Sequence, residues 1–302
     1  MKLLCVCLTS SDVNRASRCV RSIDNQSAIP FDYDIKVFVN TVDECYAGIV
    51  KDRFGDGMVV VTESNGRPGK GKNSAVNWFI ANEQYTHLMI VDGDDFLYPV
   101  AFERLDYILK HTDADVIGVQ MCDSLVSNEK EHVRRIKIGD DKWLEGWFHE
   151  QPNHVADFDY QSFMSWYSDE NAMLPFPVNR LMIFNRKAAT QQIRLWYSES
   201  VDMCDDVMSD FCALVLHVIG VIKYVLSSVT SIYVYDSTCD GVVAKFYSTG
   251  NWAKEMGILH AEITPYVKMI GDKSFDTIPF ITVPDTFDWS KKDEFILSNL
   301  VE

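Results

Sequence analysis

A short acidic loop carries the residues whose chemistry is most readily recognised. The apolar segment His87–Val91 is followed directly by Asp92-Gly93-Asp94-Asp95. Carboxylate oxygens are the ligands that Mg²⁺ and Mn²⁺ prefer, and such sites usually leave positions open for the phosphate oxygens of a substrate. The sequence therefore predicts a cation site with Asp94, Asp92 and Asp95 as candidate ligands. Because Asp and Gly are also common turn residues, an ordinary turn explains the loop equally well when it is considered alone.

A second acidic pair, Asp205 and Asp206, stands at the predicted start of a helix. The apolar positions that follow recur at helical spacing and predict a buried stripe, formed by Val207, Phe211, Leu214, Val215 and Val218. Acidic side chains in a first turn are stabilised by the helix dipole, by about 0.3 to 1 kcal/mol at exposed sites. Successive helical residues point about 100° apart, so only one of the two aspartates can face a substrate squarely.

Several segments with recognisable residue patterns follow one another over about residues 1 to 235. In chain order they are Leu3–Thr9, Arg18–Gln26, Ile35–Asn40, Ser64–Asn77, Asp92–Pro99, Asn179–Leu181 and Cys204–Asp206. This series resembles the family-two glycosyltransferases, which are nucleotide-diphospho-sugar enzymes of GT-A fold. An ordered series of motifs is far more specific than any one of them.

The resemblance implies a metal-dependent glycosyltransferase that moves a sugar from a nucleotide-diphospho-sugar to an acceptor hydroxyl with inversion, and a UDP-sugar is the favoured donor. The acceptor would be a saccharide, or a lipid-linked or protein-linked hydroxyl. The implied cofactor is Mn²⁺ or Mg²⁺ on Asp94, with Asp95 as a second ligand and Asp92 at the ribose or the metal. Asp206 matches the family's general base, and Asp205 would support it or orient the substrate.

Five residues match positions that hold the nucleotide-sugar in the family: Thr9, Asn40, Lys72, Asp92 and Arg180. Thr9 and Asn40 would frame the base, and Lys72 would lie near the base or a phosphate. Three matched positions depart from the family pattern, because Asn40 replaces an Asp, Lys72 an Arg and Asp205 a Glu. Lys cannot repeat a bidentate Arg contact and Asn can donate as well as accept, so the identity of the base stays open.

The glycine-rich segment Gly66–Gly71 precedes Lys72 and Asn73. It lacks the GxxxxGK[ST] pattern of a P-loop, because Asn73 stands where Ser or Thr is required. We expect a flexible loop that brings Lys70 and Lys72 beside the nucleotide, followed by a helix that begins at Asn73 and favours anions. A tight glycine turn with solvated lysines remains the alternative.

The elements that must position these residues alternate along the chain. The predicted strands are Leu3–Thr9, Ile35–Asn40, Met58–Thr62, His87–Val91, Asp115–Met121 and Ile193–Tyr197; helices follow the Ser11/Asp12 cap and cover Glu44–Phe54, Asn73–Glu83 and Val100–Lys110; Ser124–Ile138 is a predicted hairpin. This alternation predicts an α/β fold with a mostly parallel central sheet and helices on both faces. Ligands of such sheets bind beyond the carboxyl ends of the strands, where Thr9, Asn40 and Asp92–Asp95 fall.

Chain length and motif positions set the expected domain organisation. With 302 residues and 47% hydrophobic content, the chain can bury a large core. We expect a GT-A catalytic domain over residues 1–240 and a C-terminal extension over residues 241–302, near the acceptor side. Aromatic residues crowd the segment Trp143–Pro177. Packing in a second layer of core is favoured for most of them, with stacking on a sugar as the alternative.

The formal net charge of −16 argues against a nucleic-acid partner. Three short basic clusters occur, Arg67/Lys70/Lys72, Arg134/Arg135/Lys137 and Arg180/Arg186/Lys187. The resemblance implies that the first and third meet a diphosphate or an acceptor, and the second is expected at an exposed strand edge. A DNA-base glycosyltransferase of the phage type remains the exception to the charge argument.

The lengths of the apolar runs and the cysteine pattern indicate a cytoplasmic protein without a transmembrane segment. No apolar run approaches the ~20 residues that span a bilayer, and the N-terminal run lacks the length and cleavage site of a signal peptide. The eight cysteines include no CxxC pair and no zinc-type spacing, so reduced thiols are expected.

Two other classes of function remain open. A nucleotidyltransferase would use a similar sheet and metal to move a nucleotide, but Leu8–Ser11 lacks the glycine-rich, basic form that it needs. A catalytically silent module that binds nucleotide-sugars would keep the fold without turnover.

Overall fold

A computed structural model describes residues 1–119, 123–125, 181–193, 196–227, 232–236, 252–271 and 280–281. The strands are β1 Lys2–Thr9, β2 Asp32–Val39, β3 Val59–Val61, β4 His87–Asp92, β5 Phe96–Leu97, β6 Val116–Val119, β7 Asp123–Leu125, β8 Leu181–Asn185, β9 Tyr224–Ser227, β10 Tyr233–Asp236 and β11 Phe280–Ile281. The helices are α1 Val13–Asp24, α2 Glu44–Phe54, α3 Pro68–Ala81, α4 Ala101–His111, α5 Arg186–Ala189, α6 Asp205–Val218 and α7 Trp252–Ile270.

Among the described residues, the main sheet has eight strands in the order β11-β9-β6-β8-β4-β1-β2-β3. The pairs from β4 to β3 are parallel, and so are β6 with β9 and β9 with β11. β8 runs antiparallel to both of its neighbours, β4 and β6. The predicted α/β fold with a mostly parallel central sheet is confirmed.

Side chains of β1 alternate between two hydrophobic clusters, one on each face of the sheet. Leu4, Val6 and Leu8 face the cluster formed with α3, α6 and α7, whereas Leu3, Cys5 and Cys7 face the cluster formed with α1, α2 and α4. Helices therefore cover both faces, as the sequence predicts. A strand buried on both sides needs an almost continuous apolar run, which explains why the N-terminal segment resembles the start of a signal peptide.

The helix predicted to follow the glycine-rich segment begins inside that segment. Its first residue is Pro68, five residues before the predicted start at Asn73. Proline is favoured in the first helical turn because its missing N–H has no partner to lose there and its φ suits the helix. Most of the expected flexible loop is thus helical, and the prediction of a loop that carries Lys70 and Lys72 is wrong.

Close packing explains the glycines in this first part of α3. A Cβ at Gly69 would lie 1.9 Å from the backbone oxygen of Ser198, and a Cβ at Gly71 would lie 2.7 Å from side-chain atoms of Asn40 and Leu8. These glycines let α3 approach the ends of β1 and β2 and a distant loop.

The predicted strand Ile193–Tyr197 is not observed in the part that is described, because Ile193, Trp196 and Tyr197 are not in a β-strand. Residues 194 and 195 lie outside the described residues. A side chain takes the place of a neighbouring strand: Asn73 Nδ2 donates to Tyr197 O at 2.9 Å, and Tyr197 N donates to Asn73 Oδ1 at 2.8 Å. An amide side chain presents the same donor and acceptor as a peptide group. The Asn73 side chain therefore pairs the backbone N–H and carbonyl of Tyr197 without a neighbouring strand.

A second sheet, with three strands in the part of the chain that the structure describes, has the order β5-β10-β7. It joins the segment after the acidic loop, β5, to strands that come from later parts of the chain. β7 lies at the start of the predicted hairpin Ser124–Ile138, and the rest of that hairpin lies outside the described residues. The aromatic segment Trp143–Pro177 and the basic residues 134–137 also lie outside them.

Two parts of the expected C-terminal extension are described, and both join the fold formed by the preceding residues. Met256, Leu259 and Ile263 of α7 belong to the same hydrophobic cluster as α6. β11 pairs with β9 at the edge of the main sheet. For the rest of residues 241–302, a domain boundary at residue 240 remains a prediction. Within the described ranges, no helix has both the length and the apolarity to cross a membrane.

Candidate functional site

The carboxyl ends of three parallel strands bring the first group of predicted site residues together. Thr9 ends β1, Asp92 ends β4, and Asn40 follows β2 directly. Asn40 N donates to Thr9 O at 2.8 Å, and Gly93 N donates to Leu8 O at 2.7 Å. This clustering follows from the parallel arrangement, because the carboxyl ends of parallel strands meet at one edge of the sheet.

Lys72 connects this edge to the second acidic pair. Its Nζ lies 3.4 Å from Asp92 Oδ1 and 3.3 Å from Asp205 Oδ2, and it stands 5.3 Å from the ring centre of Tyr197. Only 7% of the residue is exposed. Burial alone would lower the pKa of Lys72, but the charges of Asp205 and Asp92 raise it well above its ordinary value. A buried cation thus joins two carboxylates that are distant in the sequence.

Asp205 and Asp206 open α6 and are both buried, with 5% and 8% of their surface exposed. The residue before them, Cys204, has a φ of 59°, a left-handed conformation that costs a non-glycine residue about 1 kcal/mol or more. Burial raises the pKa of Asp205 to about 7; Lys72 offsets this in part, while Asp206 and Asp92 add to it. A carboxyl with a pKa near neutrality is typical of functional sites.

We expect Asp205→Asn to remove a pH dependence of stability. The pKa of Asp205 is about 7 in the folded chain against an ordinary 3.8, so its protonated form is stabilised by folding. That contribution is complete below the ordinary pKa and is lost as the pH rises through the folded pKa, with a slope of up to about 1.4 kcal/mol per pH unit. In urea unfolding between about pH 4 and about pH 8, the free energy of unfolding of the wild type should fall more steeply with rising pH than that of the variant. A constant difference between the two proteins across this range would contradict a raised pKa.

The loop in front of Asp205 is held from two sides. On the α3 side, Arg67 Nε pairs with Asp202 Oδ1 at 2.9 Å, in addition to the Asn73 contacts described above. On the other side, the buried carboxylate of Glu255 in α7 accepts from Asp202 N at 2.8 Å and Met203 N at 3.4 Å. Sequence reasoning missed Asn73 and Glu255 as supports of the site, because their partners are backbone groups of a distant segment.

Asp95 is fixed beneath the acidic loop by the second sheet. Its Oδ2 accepts from the Tyr233 hydroxyl, and its Oδ1 accepts from Asp236 N at 2.8 Å. Burial, followed by the charges of Asp94 and Asp92, raises the pKa of Asp95 well above its ordinary value. Both carboxylate oxygens are used by protein donors in a buried position. This geometry opposes the prediction that Asp95 is a second metal ligand.

Asp92 and Asp94 are the carboxylates of the acidic loop that could hold a divalent cation. The Asp92 side chain is 31% exposed and Asp94 is half-buried, so both can meet a ligand from solvent. Within the ranges that the structure describes, no three His, Cys, Asp or Glu side chains converge as a complete metal cage. Two carboxylates completed by phosphate oxygens suit Mg²⁺ or Mn²⁺ better than a cage does.

Thr9 and Asn40 are at the predicted edge, but protein contacts use their polar groups. The hydroxyl of Thr9 bonds to that of Tyr46. Asn40 Nδ2 donates to Arg67 O at 2.8 Å, and its Oδ1 accepts from Thr62 Oγ1 at 3.4 Å. An aspartate could not donate to Arg67 O, which gives a structural reason for the departure from the family pattern. Contact of either residue with a nucleotide base stays a prediction.

The third basic cluster has a structural role where it is described. Arg186 donates to the carbonyls of Phe79, Ile80, Asn82 and Tyr85 and so caps the C-terminal end of α3. Lys187 pairs with Asp115 at 2.6 Å. Because β8 is antiparallel to β4, the residues that follow it leave at the opposite edge of the sheet from Asp92. This position opposes the prediction that these two residues meet a diphosphate at Asp92, and their contact with an acceptor stays a prediction. Arg180 lies outside the described residues.

No protein-family model matches the sequence, and no curated protein sequence matches it. Solved structures of TarS from S. aureus are similar in fold. TarS 1–349 in complex with UDP-GlcNAc has a TM-score of 0.56 and 13% identity, covering 90% of this chain and 71% of that one. The complex with UDP has a TM-score of 0.52 and 13% identity, with coverage of 89% and 70%. A longer TarS structure has a TM-score of 0.55 and 14% identity, and the match covers 99% of this chain and 43% of that one. The expected GT-A-type fold is confirmed.

Proposed function

We propose that this protein is a glycosyltransferase that moves a sugar from a UDP-sugar to an acceptor hydroxyl with inversion. The observation that carries the proposal is the convergence of Asp92 and Asp205 on the buried ammonium of Lys72, within 3.4 Å of each. This convergence supports a donor site that adjoins the expected general base, because Asp206 directly follows Asp205. The binding of UDP-GlcNAc and UDP by TarS, which has a similar fold, supports a UDP-sugar as the donor.

The donor side would be formed by the ends of the parallel strands. Asp94 and Asp92 would hold Mn²⁺ or Mg²⁺, which when bound neutralises negative charge on the departing diphosphate. The ammonium of Lys72 would neutralise part of the same negative charge on the diphosphate. Thr9, Asn40 and Arg180 would complete the nucleotide-sugar site.

The acceptor side would be formed by the start of α6. Asp206 would take the proton of the acceptor hydroxyl while the hydroxyl oxygen attacks the anomeric carbon. The bond from that carbon to the diphosphate oxygen breaks and its electron pair stays on the diphosphate. Attack on the face of the sugar opposite to the diphosphate inverts the configuration. The acceptor would be a saccharide or a lipid-linked or protein-linked hydroxyl, because the charge of −16 opposes a polyanion.

Of the two aspartates, Asp206 is better placed to act as the base. Asp205 is engaged by Lys72, and its backbone carbonyl accepts from Ser198 N at 3.1 Å. In the described part of the chain, no donor bonds the carboxylate of Asp206. Because neighbours on a helix point about 100° apart, Asp205 facing Lys72 leaves Asp206 directed at a different region of the site. Asp205 would then hold Lys72 and the substrate in place.

Mn²⁺ and UDP together should raise the melting temperature much more than either alone, because the diphosphate completes the coordination of the cation. Asp94→Asn should abolish this synergy, since it replaces a charged ligand with a neutral amide. Differential scanning fluorimetry of both proteins with Mn²⁺, UDP and the pair measures it. Full synergy in the variant would show that the acidic loop is only a turn.

An assay of the products distinguishes the proposed reaction from the other two classes of function. With UDP-GlcNAc as probe, slow release of UDP and free sugar in the absence of acceptor indicates a glycosyltransferase. Release of UMP with a sugar phosphate indicates chemistry at the diphosphate, as expected of a nucleotidyltransferase. Cooperative binding of Mn²⁺ and UDP without any turnover on a panel of UDP-sugars and saccharide acceptors indicates a silent module.

A further inference from the structure

A buried arginine supports the acidic loop from the side opposite to Lys72. Arg18 of α1 donates through Nη2 to the backbone oxygen of Asp94 and to Asp236 Oδ2, the latter at 2.6 Å. The side chains of Arg18 and Asp236 are only 8% and 1% exposed. The guanidinium also lies over the ring of Phe96, with 4.8 Å from its central carbon to the ring centre.

These contacts close a ring around the loop. Arg18 binds Asp236 through its side chain, and the backbone N–H of Asp236 donates to the carboxylate of Asp95. Asp95 is the residue after Asp94, whose carbonyl returns to Arg18. The peptide group between Asp94 and Asp95 is thereby held by one helix and by the second sheet, and Tyr233 adds a bond to Asp95.

We propose that Arg18 is a positioning residue that directs the carboxylate of Asp94 toward the divalent cation, an inference that rests on the proposed function. A carbonyl held by a buried guanidinium fixes the peptide plane after Asp94, and with it the direction in which the Asp94 side chain leaves the backbone. Groups that orient metal ligands in this way typically change metal affinity by 10- to 100-fold when they are removed. Arg18 itself touches neither the cation nor the substrate.

Arginine is required at this position because of its shape. The planar guanidinium reaches a carbonyl and a carboxylate at once while its face lies on an aromatic ring. A lysine keeps the charge but is a point donor, so it cannot keep all three contacts. Arg18→Lys should therefore retain the fold while loosening the loop.

The test measures the Mn²⁺ concentration that gives half of the thermal stabilisation at saturating UDP. We expect Arg18→Lys to raise this midpoint about 10-fold or more, with a smaller change in UDP binding without metal. Arg186→Lys is the matched control, since Arg186 is also partly buried, binds backbone carbonyls and lies over a phenylalanine ring, but at the other edge of the sheet. A purely structural role predicts that both variants lower the melting temperature and leave the midpoint unchanged.

An unchanged midpoint in folded Arg18→Lys would overturn the inference. If that variant does not fold, Asp236→Asn decides the matter, because it keeps the backbone bond to Asp95 and weakens the hold on Arg18. A raised midpoint in Asp236→Asn supports the inference, and an unchanged one overturns it. If the wild type shows no synergy between Mn²⁺ and UDP, the proposed function fails and the inference fails with it.

Discussion

Asp206→Asn is expected to lower turnover at least about 10²-fold while leaving the affinity for the UDP-sugar nearly unchanged. A general base acts on the acceptor proton in the transition state and contributes little to binding of the donor in the ground state. Asparagine has almost the same shape but cannot take the proton. Donor affinity by calorimetry and turnover by UDP release, measured on the same preparations, separate the two effects.

The neighbouring substitution Asp205→Asn is the control for this result. It should cost less turnover, because Asp205 acts through Lys72 rather than on the acceptor. If both aspartates served only the helix dipole, each variant would lose a similar small amount of stability and neither would lose turnover selectively. Turnover of Asp206→Asn equal to that of the wild type would remove Asp206 from the mechanism.

Lys72→Met is expected to lower the free energy of unfolding by up to about 3 to 5 kcal/mol, because it leaves the buried carboxylate of Asp205 and the partly exposed carboxylate of Asp92 without their shared counter-charge. It should also weaken UDP binding, since the ammonium would no longer oppose the diphosphate. Urea unfolding near neutral pH and calorimetry with UDP measure the two losses.

Lys70→Met is the matched control on the same helix. Lys70 pairs with Glu199 at 3.4 Å, but its side chain is 34% exposed, against 9% for Lys72. Exposed ion pairs contribute about 0 to 1 kcal/mol, so this variant should remain close to wild type. Equal losses of stability in the two variants would mean that burial between the carboxylates gives Lys72 no special role.

A double variant with Lys72→Met and Asp205→Asn should recover part of the stability that Lys72→Met alone loses, because it removes one of the stranded charges.

The sequence predicts best those features that depend on short segments. The cap of α1 at Asp12, the bounds of α2 and the position of Asp92 at a strand end follow from local patterns and are all observed. Their meeting at one sheet edge follows from the parallel topology that the alternation predicts. The approach of Lys72 to Asp205 does not follow from local patterns, because it depends on how α6 packs against α3.

The errors occur where distant partners decide the outcome. The glycines of Gly66–Gly71 suggest a loop, but Gly69 and Gly71 lie inside α3, where a Cβ would clash with Ser198 and Asn40 respectively. Asp95 belongs by sequence to the acidic loop, yet Tyr233 and Asp236 occupy its carboxylate. In each case the deciding contact is with a neighbour far along the chain, which local composition does not identify.

The support that Glu255 gives to the loop before Asp205 has a consequence for the order in which the protein is made. Synthesis proceeds from the N-terminus, so every aspartate of the proposed site leaves the ribosome before α7 does. Until α7 docks, the amides of Asp202 and Met203 lack their carboxylate partner and α6 lacks one of its apolar neighbours. The nascent chain can thus pair the strands from β1 to β9 early, while the geometry around the proposed base matures only after translation has passed Glu255. An unfinished chain would carry all of these acidic residues without an assembled centre, and catalytic competence would arise as one of the last events of folding.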